Sequence, residues 1–366
     1  MLYFICMKKY DIPGILKGML IITLIGFALH MGVVTLFNYL YETNKPPEIN
    51  IDKTCEIREC DTKETHDIYL LKGELYPLKE GNYTSEDEKI IKIINSKASA
   101  HGLGETTVFD GCDTYIFHVS DLYTKEMVNE EKEFLPEKRY TNEENEYLDK
   151  VLAFKISEAG EGTRAGVVAA ARFLTLQFPY KLDYFEENGR LAKYGHRANI
   201  DGEGRWYHKG LYLSESKYSL VENKMGGPKY WGEKLKAYSS GKTSPNGLDC
   251  SGFVTWAIYN GGFDIGDIGS GDTGKNVDEL DDKGEKVKIA KGMDFDFKPG
   301  DLAYLDGHIG MVIGLDESNV YVAESYWDVG LHVLTYTRDE FVKCKWKYII
   351  KMDELYKEDG NLTYMW

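Results

Sequence analysis

From Lys298 onward the apolar residues of this 366-residue chain fall into a period of two. Asp301 to Leu305, His308 to Gly314, Asn319 to Glu324, Leu331 to Tyr336 and Trp346 to Met352 read as short strands. Pro299-Gly300-Asp301 and Asp306-Gly307 supply the turn chemistry between them. Upstream the period is helical. Thr141-Asn142-Glu143-Glu144 is a capping box that opens a helix through about Ile156. A second helix is predicted over Thr163 to Phe178, with Ala165, Val168, Ala169, Arg172, Phe173 and Leu176 on one stripe and Pro179 at its end. Helices followed by a small antiparallel sheet predict an α+β domain.

Between those halves lies Gly247-Leu248-Asp249-Cys250-Ser251-Gly252-Phe253-Val254. A loop bearing glycine turns there into an apolar run that continues through Trp256, Ala257 and Ile258, which places Cys250 in the first turn of a helix. Unpaired backbone N–H groups and the positive end of the helix dipole favour thiolate over thiol, and the thiolate is the nucleophile. The plain alternative is a buried, inert cysteine.

A cysteine nucleophile needs a base, and the base needs an orienting group. His308 follows Gly307 at the head of the apolar strand Ile309 to Gly314, where it can face a cleft. Glu324 ends the next strand on the face of Val320 and Val322, within reach of the outer ring nitrogen of such a histidine. Taken singly, His308 reads equally well as an ordinary sheet histidine and Glu324 as a solvated strand end. His332, in mid-strand, is the rival base or orienter.

The N-terminus sets the compartment. Gly18 to Tyr41 holds no Asp, Glu, Lys or Arg and is long enough to cross a bilayer core of roughly 30 Å as a helix. Lys8, Lys9 and Lys17 precede it, and Glu42, Glu48 and Asp52 lie among the residues after it, which predicts a cytoplasmic N-terminus and an external remainder. A cleaved signal peptide would carry a shorter apolar core and a small-residue cleavage site, so a retained anchor is preferred. Five of the six cysteines, Cys55, Cys60, Cys112, Cys250 and Cys344, would then lie outside. An odd count leaves at least one thiol, and Cys55–Cys60 is one of the pairings open.

The net charge of −16 carries no cluster of Lys and Arg and excludes a nucleic-acid footprint. Residues 48–140 alternate charged loops with short apolar runs. Ser85 to Lys97 is expected to be helical and Thr114 to Val119 a strand. Residues 180–246 are rich in tyrosine and tryptophan, which suits the packing of a long excursion better than a sugar or peptide cleft. Gly269 to Asn276 approaches a phosphate-binding loop, but Asn276 replaces the hydroxyl residue and acidic residues follow, so it reads as an ordinary loop.

Asp249-Cys250-Ser251-Gly252-Phe253-Val254, Lys298-Pro299-Gly300-Asp301-Leu302 and Gly307-His308-Ile309-Gly310-Met311-Val312-Ile313-Gly314 together resemble the NlpC/P60 family of papain-like cell-wall hydrolases. The resemblance covers about residues 160–352. Pro228-Lys229-Tyr230-Trp231-Gly232 is similar to the family's aromatic-glycine segment, with Pro179-Tyr180 a competing match. It implies a papain-like NlpC/P60 fold, helices packed on a small barrel-like sheet. It implies Cys250 as nucleophile, His308 as base and acid, and Asp249, Ser251 and Trp231 near a peptide-stem subsite. Two departures stand out. The family's third polar residue is usually His, Asn or Gln, and here Glu324 fills the position, which is similar to the related CHAP amidase/endopeptidase family. The connection leading to Cys250 is also longer than the family's.

The expectation is therefore a membrane-anchored cysteine endopeptidase that cuts peptidoglycan stem peptides outside the cell without metal or cofactor. An N-acetylmuramoyl-L-alanine amidase and an inactive wall-binding protein are the alternatives. The expected organisation is a signal anchor over 1–45, a linker or accessory region over 46–140, and the NlpC/P60-like catalytic domain over 141–366.

Overall fold

The stretch expected to be helical over 85–97 is instead half of a β-hairpin. The computed structural model describes residues 63–128, 130–185, 208–211, 233–236, 243–269 and 279–366, all within one compact unit, Cys60–Trp366. Seven strands open it: β1 (Thr65–Leu71), β2 (Leu75–Pro77), β3 (Thr84–Ser85), β4 (Ile91–Ile94), β5 (Lys97–Ala100), β6 (Gly104–Phe109) and β7 (Thr114–Ser120). Asn95 and Ser96 close the β4–β5 hairpin with φ of 49° and 56°, the backbone that a tight two-residue hairpin requires. Ile90, Ile91, Ile93 and Ile94 fit a helical stripe by spacing, but β-branching favours the pleated strand. Ile91 is fully buried with Ile68, Leu70, Ala98, Val108 and Phe117 in a core of their own. β1 pairs in parallel with β7, and the sheet order is β1-β7-β6-β3. β2, β5 and β4 form a second sheet.

Two helices follow. α1 (Asn142–Ala159) begins at Thr141 with both halves of the predicted capping box in place. α2 (Arg164–Arg172) runs into one π-helical turn, Phe173–Gln177, rather than continuing as α-helix to Phe178. β8 (Lys234–Lys236) and β9 (Thr243–Pro245) make a two-stranded ribbon before α3 (Cys250–Asn260). The C-terminal third supplies β10 (Glu285–Lys288), β11 (Leu302–Leu305), β12 (His308–Leu315), β13 (Asn319–Tyr326), β14 (Gly330–Thr337), α4 (Arg338–Phe341), β15 (Tyr348–Lys351) and α5 (Asp353–Tyr356). Its six-stranded antiparallel sheet has the order β10-β15-β11-β12-β13-β14.

This sheet is buried on both faces. Ile309, Met311, Ile313 and Ala323 join Phe253, Val254 and Trp256 of α3 in one core. Val312, Val320, Val322 and Ile349 join Phe297, Phe341 and Trp346 in another on the opposite face. Residues two apart thus share a face, as the pleat demands.

The expected α+β class, a papain-like NlpC/P60 fold with helices on one small barrel-like sheet and a transmembrane helix, requires correction. Strand makes up 31% of the described residues and helix 22%, in several sheets. The cause lies in 63–120, whose short apolar runs build two sheets and a separate core. Among the described residues no helix is long and apolar enough to cross a membrane. Gly18 to Tyr41 lies outside the described residues, as do Trp231 and residues 270–276 of the near phosphate loop.

The polar C-terminal segment is a strap. Leu315 N–H donates to Tyr364 O at 3.0 Å. Arg172, buried, donates to Ile313 O at 2.8 Å and to Thr363 Oγ1 and O at 2.7 and 2.9 Å. Trp366 packs edge-on against Tyr321 at 5.1 Å.

Candidate active site

Asp249 caps α3. Its carboxylate accepts from Gly252 N–H at 2.6 Å and from the Ser251 hydroxyl at 3.2 Å. This cap fixes Cys250 as the first helical residue. Asp249, Cys250 and Ser251 are all buried. The loop before them is held closely. Leu248 N–H donates to Asp183 O at 3.1 Å, and a Cβ on Gly247 would stand 1.9 Å from that carbonyl, so only glycine allows the approach. The Ser325 hydroxyl donates to Leu248 O at 2.6 Å. That bond ties the Cys250 loop to β13 one residue beyond Glu324. Met311 pairs with Ala323, so Ser325 lies opposite Ile309, beside His308. Cys250 therefore arrives at the end of the sheet where β12 begins.

His308 and Glu324 meet there directly. His308 Nε2–H donates to Glu324 Oε2 at 2.5 Å, because an ionised carboxylate can only accept. This tautomer leaves Nδ1 as the nitrogen able to take a proton. Trp346 stacks on the imidazole with centroids 5.2 Å apart at 13°, and Tyr326 meets it edge-on at 5.2 Å. The ring is thus fixed on three sides.

Glu324 is nearly fully buried and serves more than one partner. Lys345 Nζ donates to both carboxylate oxygens at 2.6 Å, and His332 Nε2 lies 3.3 Å from Oε1. Burial alone would raise the Glu324 carboxyl, but its hydrogen bonds to His308, His332 and Lys345 hold it well below the usual carboxylate range. It is an anion at any pH at which the protein would work.

Gly310 makes the pair possible. It lies between His308 and Val312 on their face of β12. A Cβ there would stand 2.8 Å from Ala323 O, 2.9 Å from Val322 Cγ1 and 3.3 Å from Glu324 Cβ. The missing side chain lets the Glu324 carboxylate cross the strand to His308. Gly310→Ala is expected to cost about 1–3 kcal/mol through overpacking and to separate His308 from Glu324. Urea unfolding together with turnover checks this; wild-type values in both would contradict it.

Cys250 and Cys344 are thiols. Cys112 is disulfide-bonded. Burial pushes the Cys344 thiol up, which disfavours it as a nucleophile. Among the described residues no group of three or more His, Cys, Asp or Glu is arranged to hold a metal ion.

The predicted residues thus divide. His308 and Glu324 are in contact on the face of β12 that carries Val312. Cys250 belongs instead to the core of the other face, with Ile309, and reaches the same sheet end through the Leu248–Ser325 bond, with Asp249 and Ser251 engaged in the cap. His332, the rival, touches Glu324 as well. Lys345, Trp346, Tyr326, Ser325 and Gly310 were not legible as site residues. Two had a signal: Gly310 lies within the motif around His308, and Tyr326 follows Glu324 by two and shares its face. No family model, curated protein or solved structure matches the chain.

Proposed function

We propose that this chain is a cysteine endopeptidase of peptidoglycan stem peptides. The observation that carries the reading is the 2.5 Å His308–Glu324 bond at the sheet end to which Ser325 ties the Cys250 loop. The motif resemblance to NlpC/P60 hydrolases around Cys250 and His308 supports the same chemistry.

His308 Nδ1 takes the Cys250 thiol proton, and the thiolate attacks a stem-peptide amide carbonyl. The backbone N–H of Cys250 and a neighbour hold the oxyanion. The C–N bond breaks, His308 returns the proton to the leaving amine, and a thioester remains on Cys250. Water, with His308 as base, then releases the acid and restores the thiol. Glu324 orients the ring and offsets the imidazolium charge. Asp249 and Ser251, buried in the cap, set the start of α3 and so the place of Cys250; a stem-peptide role for them and for Trp231 rests on the family resemblance alone. Membrane anchoring with the site outside the cell rests on the sequence alone, on the charge-free run Gly18 to Tyr41 and the lysines before it.

The carboxylate as third member supports a second reading, an N-acetylmuramoyl-L-alanine amidase of CHAP-like type. Product masses after exposure of defined muropeptides to the full chain separate the two. Fragments cut within the stem, absent with Cys250→Ala, are the expected result. Release of intact stem from muramic acid would replace the endopeptidase reading by the amidase one. Cleavage retained by Cys250→Ala would overturn both.

A further inference from the structure

We propose that Lys345 is a positioning residue of this site, which holds Glu324 in place and offsets its charge so that the Cys250–His308 pair works at lower pH. The inference rests on the cysteine-hydrolase reading and goes beyond it, because Lys345 touches neither nucleophile nor base.

Three observations carry it. Lys345 Nζ sits 2.6 Å from each Glu324 oxygen, so it fixes the carboxylate plane as well as its location. The ammonium also lies 4.5 Å from the Tyr326 ring centroid and 4.7 Å from that of Trp346, the two rings that hold His308. One side chain thus braces the orienting carboxylate and both aromatic walls. Lys345 lies in the segment between α4 and β15, far in sequence from Cys250, His308 and Glu324. It is 33% exposed at its side chain, so a neutral replacement can keep the stem packing while losing the charge.

The charged and titratable groups around this carboxylate are His308 from β12, His332 from β14 and Lys345 from the segment before β15. Cys344 and Tyr336 lie beside them. Asp306, 3.8 Å from Lys347, is in the turn before His308, and Asp249 caps α3. Loss of the Lys345 cation acts with one sign on both partners. Glu324 then stands uncompensated behind His308, and its negative charge opposes thiolate formation at Cys250. The imidazolium loses a repelling charge and gains the full pull of Glu324, which raises the pH at which it deprotonates. Both limbs move to higher pH.

The test is the pH dependence of iodoacetamide alkylation at Cys250, read by peptide mapping of the full chain in detergent, which needs no substrate. Lys345→Met is expected to move the alkylation limb up by roughly 0.5–1 pH unit, with a thermal melt close to wild type. Lys345→Arg should restore the wild-type limb. His308→Ala is the control for coupling between base and thiol. A limb unmoved by Lys345→Met but moved by His308→Ala would overturn the role of Lys345 and leave the site reading intact. A limb unmoved by either would overturn the Cys250–His308 pair and this inference with it. Failure of Lys345→Arg to restore the limb would show that the charge is not the operative property.

Discussion

Cys250→Ala is expected to lower turnover of muropeptides by on the order of 10⁴-fold or more, because nucleophile and base act as a unit. His308→Ala should lose nearly as much, and the double variant little beyond either. Glu324→Gln should lose less, since it removes charge and tautomer control but not the proton carrier. Gln is the informative replacement. Glu324→Ala would leave the Lys345 ammonium and two histidines around a buried gap and would mix stability with chemistry. Stability is the control: Cys250→Ala should change the unfolding free energy by about 1 kcal/mol or less. Steady-state kinetics on defined muropeptides check the series. Equal losses for Glu324→Gln and His308→Ala would give Glu324 a larger part than orientation.

Arg164→Met is expected to destabilise the protein by about 3–5 kcal/mol, the range for removing one partner of a buried ion pair. Arg164 is fully buried at the first turn of α2. Its Nη1 donates to Asp301 Oδ1 at 2.6 Å and to Pro299 O at 3.2 Å, its Nη2 to Asp353 at 2.9 Å and its Nε to Asp359 at 3.2 Å. The guanidinium also lies over the Tyr356 ring at 4.9 Å. Without it, the buried Asp301 keeps only the N–H groups of Met352 and Lys298. The turn before β11 and the C-terminal strap lose their common anchor, while Cys250, His308 and Glu324 keep their contacts. Urea unfolding measures the cost. A loss under about 1 kcal/mol would mean that the surrounding groups neutralise Asp301 unaided.

Arg164 also bears on how much the chain discloses before it folds. Pro299-Gly300-Asp301 was legible as turn chemistry and as part of the family resemblance. Its physical reason was not, because the arginine that binds Pro299 O and Asp301 lies more than a hundred residues upstream. The last five strands and the α1 capping box were legible because alternation and Thr141–Glu144 chemistry are local. The β-rich region 63–120 was legible only at Thr114 to Val119, the strand found as β7. Its other strands, of two to seven residues, are too short to separate strand from helix by period, and the Ile90–Ile94 cluster satisfies both spacings. The decision there is made by the turn at Asn95-Ser96 and by burial of Ile91 against β1 and β7 partners.

The site divides along the same line. Cys250, His308 and Glu324 stood out because each occupies the end of a readable element. Register then does what sequence cannot. It sets Glu324 diagonal to His308 across Gly310, and Ser325 opposite Ile309, where it can hold Leu248. Lys345 precedes the predicted strand, and Trp346, read as its first residue, lies in the irregular lead-in to β15. They reach the carboxylate and the imidazole only through the pairing of β15 with β11, which in turn pairs with β12.

On the proposed mechanism Cys250 forms the covalent intermediate. The direct measurement is peptide mapping by mass spectrometry after the full chain is mixed briefly with a defined muropeptide and quenched in acid. An acyl mass increment on the peptide that contains Cys250, lost in Cys250→Ala and absent from the peptide that contains Cys344, is the predicted result. Turnover that proceeds with no increment on Cys250, or with the increment on another residue, would contradict it.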